Sequence, residues 1–150
     1  MALYLLDTNI VLRLANADDV QHKLVSEAVS RILAQEQECY LISQVLIEFW
    51  VVSTRPVDVN GLGWTTSHTE DAIAQLLNRF PLLDDQSEIF AIWQQLVTTQ
   101  NIVGKRAHDA RIAAAMLTHG VTHLLTFNTK DFIQVPDITV VAPQSIIAEQ

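Results

Sequence analysis

Leu3-Tyr4-Leu5-Leu6-Asp7-Thr8-Asn9 is the stretch that decides the fold of this 150-residue chain. Its four leading apolar residues form a short continuous run, which is typical of a buried strand. A carboxylate follows the run directly, and the apolar residues after it recur at helical spacing. In an open α/β sheet, ligands bind at the carboxyl ends of the strands. The stretch therefore predicts a strand, a helix and, between them, an acid placed at a site.

Four more short apolar segments are predicted to be strands, and helical patterns separate most of them. They cover residues 39–42, 80–83, 123–127 and 138–141. Strands that alternate with helices favour a parallel sheet covered on both faces. We therefore expect one α/β domain over residues 1–150, a length that allows a sizeable core.

Short polar residues and glycine indicate where several helices begin and end. Ser43 is expected to cap the helix after the second strand. Ser67-His68-Thr69-Glu70 has the form of a capping box and predicts another helix start. Residues 109–119 form an alanine-rich helical pattern, and Gly120 stands where a helix C-cap belongs.

The composition is that of a globular protein, with 49% hydrophobic residues, 17 acidic residues and 9 basic residues. The net charge of -8 disfavours a general nucleic-acid-binding protein, because phosphate contacts need Lys and Arg. Four basic residues nevertheless lie close in sequence to candidate site acids: Lys105, Arg106, Arg111 and Lys130. We expect them to contact RNA phosphates, the alternative being a solvated face with weak ion pairs.

Cys39 is the single cysteine, so no internal disulfide can form, which agrees with a reducing compartment. The N-terminus lacks the basic flank and apolar core of a signal peptide. No apolar run in the sequence is long enough to cross a bilayer. We therefore expect a cytoplasmic protein that makes no membrane contact.

Four acids stand where a site is expected: Asp7, Glu48, Asp109 and Asp131. Three of them have ordinary interpretations when each is taken alone. Asp7 can be a helix N-cap, Asp109 can interact with a helix dipole, and Asp131 can be a turn residue.

Glu48 is the most telling of the four, because it shares a helical stripe with Val45 and Val52. That stripe should face the core, where an ionised carboxylate is costly unless it is paired or binds a metal. A position at the edge of the stripe, or a buried ion pair with an arginine, would explain Glu48 without a site.

Taken together, the four acids predict a cation site. The carboxyl ends of parallel strands gather at one edge of the sheet, and Glu48 and Asp109 should turn inward from their helices. Two carboxylates about 5 Å apart repel by roughly 3 kcal/mol at an effective dielectric constant near 20. Four ionised groups therefore need a cation, and all-oxygen ligands suit Mg²⁺ or Mn²⁺ rather than zinc. Such an ion can activate water and neutralise charge on a phosphate.

The same residues resemble the motifs of the PIN-domain ribonucleases, and most closely those of the VapC-type toxins of toxin–antitoxin pairs. The likeness spans nearly the whole chain. It rests on Asp7-Thr8-Asn9, Glu48, His108-Asp109-Ala110-Arg111, residues 126–132, Arg55-Pro56 and Asn60-Gly61-Leu62-Gly63.

The resemblance implies an α/β fold with a central parallel sheet of strand order 3-2-1-4-5, flanked by helices. It implies Mg²⁺- or Mn²⁺-dependent cleavage of RNA phosphodiester bonds. It also implies a homodimer and a small VapB-like antitoxin that covers the site.

Site residues follow from the same resemblance. The acidic, metal-binding residues would be Asp7, Glu48, Asp109 and Asp131. Thr8 and Thr126 would support these carboxylates by hydrogen bonds. Some relatives carry an acid where this chain has Asn128, so Asp131 is the fourth acid here and Asn128 is a neutral partner.

Two other functions are weighed against the nuclease. A metal-dependent phosphatase of another α/β family is one, although Asp7 is not followed two residues later by a second Asp, which disfavours an aspartyl-phosphate route. A receiver-like module, or an inactive binding module, that uses the acidic pocket to dock a partner is the other. His108 is interpreted as a surface or capping residue, and Trp93 as a core or interface residue.

Overall fold

The computed structural model describes residues 2–149. Within that part of the chain five strands form the sheet: β1 (Leu3–Leu6), β2 (Glu38–Ile42), β3 (Leu82–Leu83), β4 (His123–Leu125) and β5 (Thr139–Val141). The same residues form seven α-helices: α1 (Thr8–Ala15), α2 (His22–Ala34), α3 (Ser43–Thr54), α4 (Thr66–Arg79), α5 (Glu88–Thr99), α6 (Arg106–His119) and α7 (Pro143–Ala148). None of these helices is long and apolar enough to span a bilayer.

The sheet is all-parallel, with the order β3-β2-β1-β4-β5, which confirms the expected 3-2-1-4-5. The first strand is central, since Tyr4 lies opposite Cys39 of β2 on one side and His123 of β4 on the other. Leu5 and Leu6 are fully buried, as expected for a strand covered on both faces. The opening stretch of the chain is thus the centre of the fold.

Helices cover the sheet in two groups. The chain passes through α1 to α4 while it forms β1, β2 and β3, and it then passes through α5 and α6 to reach β4. Because parallel crossovers are right-handed, these two groups lie on opposite faces. α1 contacts α2 and α3, whereas α5 contacts α6. The strand order therefore reverses between β1 and β4, and ligands of open α/β sheets bind at such a point.

Two helix starts differ from the sequence expectation. Ser43 does not cap α3, because Ile42 is the N-cap and the Ser43 hydroxyl donates to Asp85 Oδ2 at 2.6 Å. α4 begins at Thr66, before the expected capping box, because the Thr65 hydroxyl accepts a hydrogen bond from the His68 backbone at 3.1 Å. Each difference arises from a side-chain partner that spacing alone does not reveal.

Other boundaries shift by a few residues. α6 begins at Arg106 rather than residue 109, and it ends as expected at Gly120, which is left-handed with a φ of 69°. β4 ends at Leu125 because the Phe127 amide donates to a side chain of α1 instead of a strand. Pro143, expected only to end the last strand, occupies the first turn of α7, where proline is favoured.

α3 carries Glu48 between two residues in opposite environments. Phe49 is 0% exposed and belongs to the core, whereas Ile47 is 63% exposed. Glu48 is partly buried and lies at the edge of the buried stripe. The packing of Phe49 therefore fixes the direction in which the neighbouring carboxylate leaves the helix.

Phe49→Ala is expected to lower the free energy of unfolding by about 3–5 kcal/mol, because it leaves a cavity in the core. Ile47→Ala on the same helix is the control, and a surface change of this kind costs no more than about 0.5 kcal/mol. Urea denaturation followed by circular dichroism measures both. Equal losses in the two variants would contradict this placement of α3.

Candidate active site

Asp7 and Thr126 follow two adjacent strands, β1 and β4, and meet where the strand order reverses. The Thr126 hydroxyl donates to Asp7 Oδ2 at 2.8 Å. The backbone N–H of Asp7 donates to the carbonyl of Leu125 at 3.1 Å. Thr126 is fully buried and Asp7 is partly buried. The sheet itself therefore fixes the position of the Asp7 carboxylate.

Asp7 is at the same time the N-cap of α1. Its Oδ1 accepts a hydrogen bond from the Thr8 backbone N–H at 2.8 Å. Each carboxylate oxygen thus has its own donor, one from the helix and one from the neighbouring strand end. The capping role and a place at a site are compatible in this residue.

Asn9 completes the support of Asp7, a role that sequence reasoning did not assign. Its side-chain amide donates to Thr126 Oγ1 at 3.0 Å and lies 3.5 Å from Asp7 Oδ2. Its Oδ1 accepts from the Phe127 backbone at 3.1 Å. The available signal was its place in the first turn of the helix that Asp7 caps.

Glu48 joins the group from α3. The Thr8 hydroxyl donates to Glu48 Oε1 at 3.1 Å. Thr8 therefore supports two carboxylates, Asp7 through its backbone and Glu48 through its side chain. Among residues 2–149 Glu48 forms no salt bridge, so a buried ion pair with an arginine does not explain its position.

Burial raises the pKa of Asp7, and the hydrogen bonds from Thr126 and Thr8 oppose that rise. Burial is also the main cause of the raised pKa of Glu48. The Thr8 hydrogen bond lowers the pKa of Glu48, whereas the negative charge of Asp7 raises it further. Both carboxylates therefore lie in a region that disfavours additional negative charge.

Asp109 brings a third carboxylate from the first turns of α6. Burial raises the pKa of Asp109 most, and the negative charges of Asp7 and Asp131 add to the rise. The positive charges of Arg106 and His108 oppose it. Asp7, Glu48 and Asp109, which we call the acidic centre, are thus close enough to affect one another's protonation.

Asp131 and Asn128 lie at the rim of the acidic centre, and both are exposed. They line a cleft of about 680 Å³ together with Asp109. The backbone N–H of Asn128 donates to Thr126 Oγ1 at 3.0 Å, so Asn128 supports the site through its main chain. The cleft also contains three of the four expected basic residues, Lys105, Arg106 and Lys130.

Arg111 does not join the other basic residues. It lines a different cleft, of about 450 Å³, with Glu48 and His108. Its guanidinium donates to Gln44 Oε1 at 3.1 Å and to Asp85 Oδ1 at 3.4 Å. The four basic residues expected to contact RNA phosphates therefore line two different clefts.

Gln44 and His108 were not assigned to the site from the sequence. His108 is exposed, lines the cleft beside Glu48, and lowers the pKa of Glu48 and Asp109 by its positive charge. Gln44 lies one helical turn before Glu48, and this i to i+4 spacing was the available signal. Gln44 Nε2 donates to the His108 carbonyl at 2.9 Å, and Gln44 Oε1 accepts from Arg111, so Gln44 connects these two residues.

The donor set fits a hard divalent cation. Within residues 2–149 no three acidic, histidine or cysteine side chains converge closely enough to hold a metal ion by themselves. Mg²⁺ does not require this, because it keeps several waters and often takes one or two protein carboxylates together with substrate phosphates. The raised pKa values of Asp7, Glu48 and Asp109 mean that a nearby positive charge would favour their ionised forms.

A family model of the PIN domain matches residues 4–138. The chain therefore belongs to the PIN domain family, whose members are nucleases that generally use divalent metal ions. A comparison of the sequence with curated proteins gives no significant match.

Solved structures of VapC toxins share the fold over most of their length. VapBC2 from Rickettsia felis, bound to a promoter DNA fragment, is 19% identical with a TM-score of 0.66, over 93% of this chain and 98% of that chain. VapBC-1 from nontypeable Haemophilus influenzae is 22% identical with a TM-score of 0.65, over 95% and 98%. The sarcin–ricin-loop-cleaving toxin VapC20 from Mycobacterium tuberculosis is 19% identical with a TM-score of 0.60, over 88% and 98%.

The sheet order also distinguishes the PIN fold from a receiver-like fold. A receiver-like doubly wound sheet has the strand order 2-1-3-4-5. The observed order β3-β2-β1-β4-β5 differs from it. The chain therefore does not have the receiver fold, and the PIN fold agrees with the expectation drawn from the motifs.

The stability of Asp7→Asn relative to the metal-free parent is expected to rise with pH. Burial raises the folded-state pKa of Asp7 above its unfolded value, so folding favours the protonated carboxyl. That contribution is present at low pH and is lost as the pH rises through the raised pKa. Asparagine keeps the side chain neutral and can still cap the helix through its Oδ1, but its amide nitrogen cannot accept the hydrogen bond that Thr126 donates to Asp7 Oδ2, a cost that does not depend on pH. Thermal denaturation in chelator should therefore give a Tm difference, Asp7→Asn minus parent, that is more positive at pH 7 than at pH 4.

Each kcal/mol of stability shifts the Tm of a chain of this size by roughly 2–4 °C. Asp71→Asn, at an exposed position of α4, is the matched control and should leave the Tm unchanged. A Tm difference between Asp7→Asn and the parent that does not vary with pH would contradict the inferred pKa shift.

Proposed function

We propose that the protein is a Mg²⁺- or Mn²⁺-dependent endoribonuclease and acts as the toxin of a type II toxin–antitoxin pair. The observation that carries this proposal is the joint support of two carboxylates at the reversal point of the sheet. Thr126 holds Asp7 from β4, and Thr8 holds Glu48 from α1. A chain that keeps acids partly buried there, against the cost of burial, uses them for a bound cation.

The catalytic residues in this proposal are Asp7, Glu48, Asp109 and Asp131. The first three form the acidic centre, and Asp131 contributes a fourth carboxylate from the rim. When a divalent cation is bound, it supplies Lewis-acid chemistry at the scissile phosphodiester and at the attacking water. Oxygen ligands and the absence of a sulfur ligand from this set favour Mg²⁺ or Mn²⁺ over softer metals.

Basic residues beside the acidic centre bind the RNA backbone in this proposal. Lys105, Arg106 and Lys130 are exposed and line the cleft that contains Asp109 and Asp131. Contacts of lysine and arginine with phosphates position a nucleic acid without reading its sequence. They also offset the negative field of a protein whose net charge is -8.

A VapB-like antitoxin is the proposed protein partner, and the toxin itself is proposed to form a homodimer. Two of the similar structures are VapBC proteins, from Rickettsia felis and Haemophilus influenzae. The acidic centre suits a partner that inserts an arginine among the carboxylates, because guanidinium–carboxylate pairs are strong and directional.

The nuclease proposal is tested by incubating the purified protein with a mixed RNA pool. Fragments should appear with Mg²⁺ or Mn²⁺ and disappear with chelator. Asp7→Asn should lower the cleavage rate by at least about 100-fold. Replacing a residue that only hydrogen-bonds to a metal ligand already lowers activity by about 10–100-fold. Asp71→Asn, which changes the same charge on an exposed part of α4, should cleave like the parent.

Lack of metal-dependent fragments from protein that is folded and binds Mn²⁺ would contradict the nuclease and favour a module that docks a partner. Cleavage of equal rate by Asp7→Asn would also contradict it, because the activity would then arise elsewhere or from a contaminant.

The antitoxin proposal has its own test. Co-expression with the product of the neighbouring gene should give a stable complex in size-exclusion chromatography, and RNA cleavage by that complex should be suppressed. Replacing the arginines of that partner one at a time with alanine should restore cleavage at the position whose guanidinium covers the carboxylates. Two folded proteins that elute separately would contradict the assignment of this partner.

A further inference from the structure

The acidic centre opens onto two clefts of different chemistry. One contains Asp109 together with three basic residues that form no salt bridge within residues 2–149, namely Lys105, Arg106 and Lys130. The other contains Glu48 and reaches Arg111. His108 lines the second cleft and the next residue, Asp109, lines the first, so the two clefts adjoin at the acidic centre. A strand of RNA that crosses the acidic centre would therefore contact both.

The Arg111 cleft is built from paired polar groups rather than free cations. Arg111 donates to Gln44 and to Asp85, and Asp85 also accepts from the Ser43 hydroxyl. The Arg111 and Asp85 side chains nevertheless remain 35% and 52% exposed. A guanidinium, an amide and a carboxylate together present donors and acceptors to a ligand. Such groups read the edges of unpaired bases, whereas a phosphate is better served by an unpaired cation.

An aromatic pair adjoins the same arginine. Arg111 also lines a third cleft, of about 380 Å³, with Phe90 and Trp93. The two rings lie 5.5 Å apart at 34°, and Phe90 is 64% exposed. Trp93 Nε1 donates to the Ala107 carbonyl at 2.8 Å, which fixes the indole next to the turn that carries Asp109. Trp93 is partly buried, so Phe90 presents the exposed ring, and an exposed ring beside an arginine is typical of surfaces on which unpaired bases stack.

We propose that the groove from Glu48 past Arg111 to Phe90 binds the base of a nucleotide next to the scissile phosphate, and that it sets the base preference of cleavage. This inference rests on the proposed ribonuclease function. The base stacks on Phe90, and Gln44 and Arg111 hydrogen-bond to its edge. The cleft of Lys105, Arg106 and Lys130 holds the backbone on the other side of the acidic centre.

A second copy of this chain is a less suitable occupant of the groove. It would have to cover the exposed Arg111–Asp85 pair, and withdrawing both charges from water costs free energy unless new partners replace the water. A base supplies such partners through its ring nitrogens, carbonyl and amino groups.

The test measures RNA binding in chelator, so that its readout does not depend on cleavage. A pool of fluorescent single-stranded octamers of random sequence is bound to the parent and to each variant, and bound and free RNA are sequenced. The parent should enrich particular bases at one position. Gln44→Ala should flatten that enrichment, and Phe90→Ala should weaken binding roughly 5- to 150-fold, the range expected for one stacked base.

Matched controls separate the groove from general effects. Gln75→Ala and Leu77→Ala, on the exposed side of α4, should leave affinity and enrichment unchanged. The double variant Lys105→Ala/Arg106→Ala should weaken all sequences equally and reduce the salt dependence of binding, with the base enrichment retained.

Unchanged enrichment in Gln44→Ala, with unchanged affinity in Phe90→Ala, would overturn the proposal while leaving the nuclease intact. Conversion of a dimer to a monomer by Phe90→Ala, without a change in enrichment, would also overturn it and assign the surface to a second copy. If the parent neither binds the pool nor cleaves RNA with Mg²⁺, the proposed function fails and this inference fails with it.

Discussion

The carboxylate of Asp7, held by the Thr126 hydroxyl at the reversal point of the sheet, is the contact on which the site depends. The strand order forces the carboxyl ends of β1 and β4 together, and the chain places an acid on one and a buried hydroxyl on the other. A charge at that depth is costly without partners. The Asp7 carboxylate also accepts a hydrogen bond from the start of α1, the helix that it caps. These contacts fix Asp7 relative to both the start of α1 and the end of β4.

Threonine hydroxyls connect the remaining elements to this contact. Thr8 is the first residue of α1, and its hydroxyl donates to Glu48 on α3. Phe49, the neighbour of Glu48, is buried and anchors α3 in the core. The carboxylates still raise one another's pKa, so the protein alone leaves the acidic centre short of positive charge. In the function that we propose, a bound cation relieves the same shortage that destabilises the metal-free protein at neutral pH.

Most of the fold could be predicted from the sequence because its signals are local. The apolar run before Asp7, the helical stripe through Glu48 and the glycine at position 120 each specify an element without reference to the rest of the chain. The PIN motifs then gave the strand order, which periodicity alone leaves open. Contacts between distant segments were not predictable. Ser43 turned to Asp85, Asn9 to Phe127, and Arg111 to Gln44, and each of these pairs is separated by 40 or more residues or joins different layers.

Anomalous diffraction from crystals soaked in Mn²⁺ would test the central claim most directly, because it locates the ion without relying on activity. We predict a peak within bonding distance of an Asp7 oxygen and of at least one oxygen from Glu48 or Asp109, with Thr126 and Thr8 still donating to their carboxylates. Soaked crystals of Asp7→Asn should lack the peak. A Mn²⁺ peak elsewhere on the protein, or none at millimolar Mn²⁺ in crystals that preserve the acidic centre, would contradict the account.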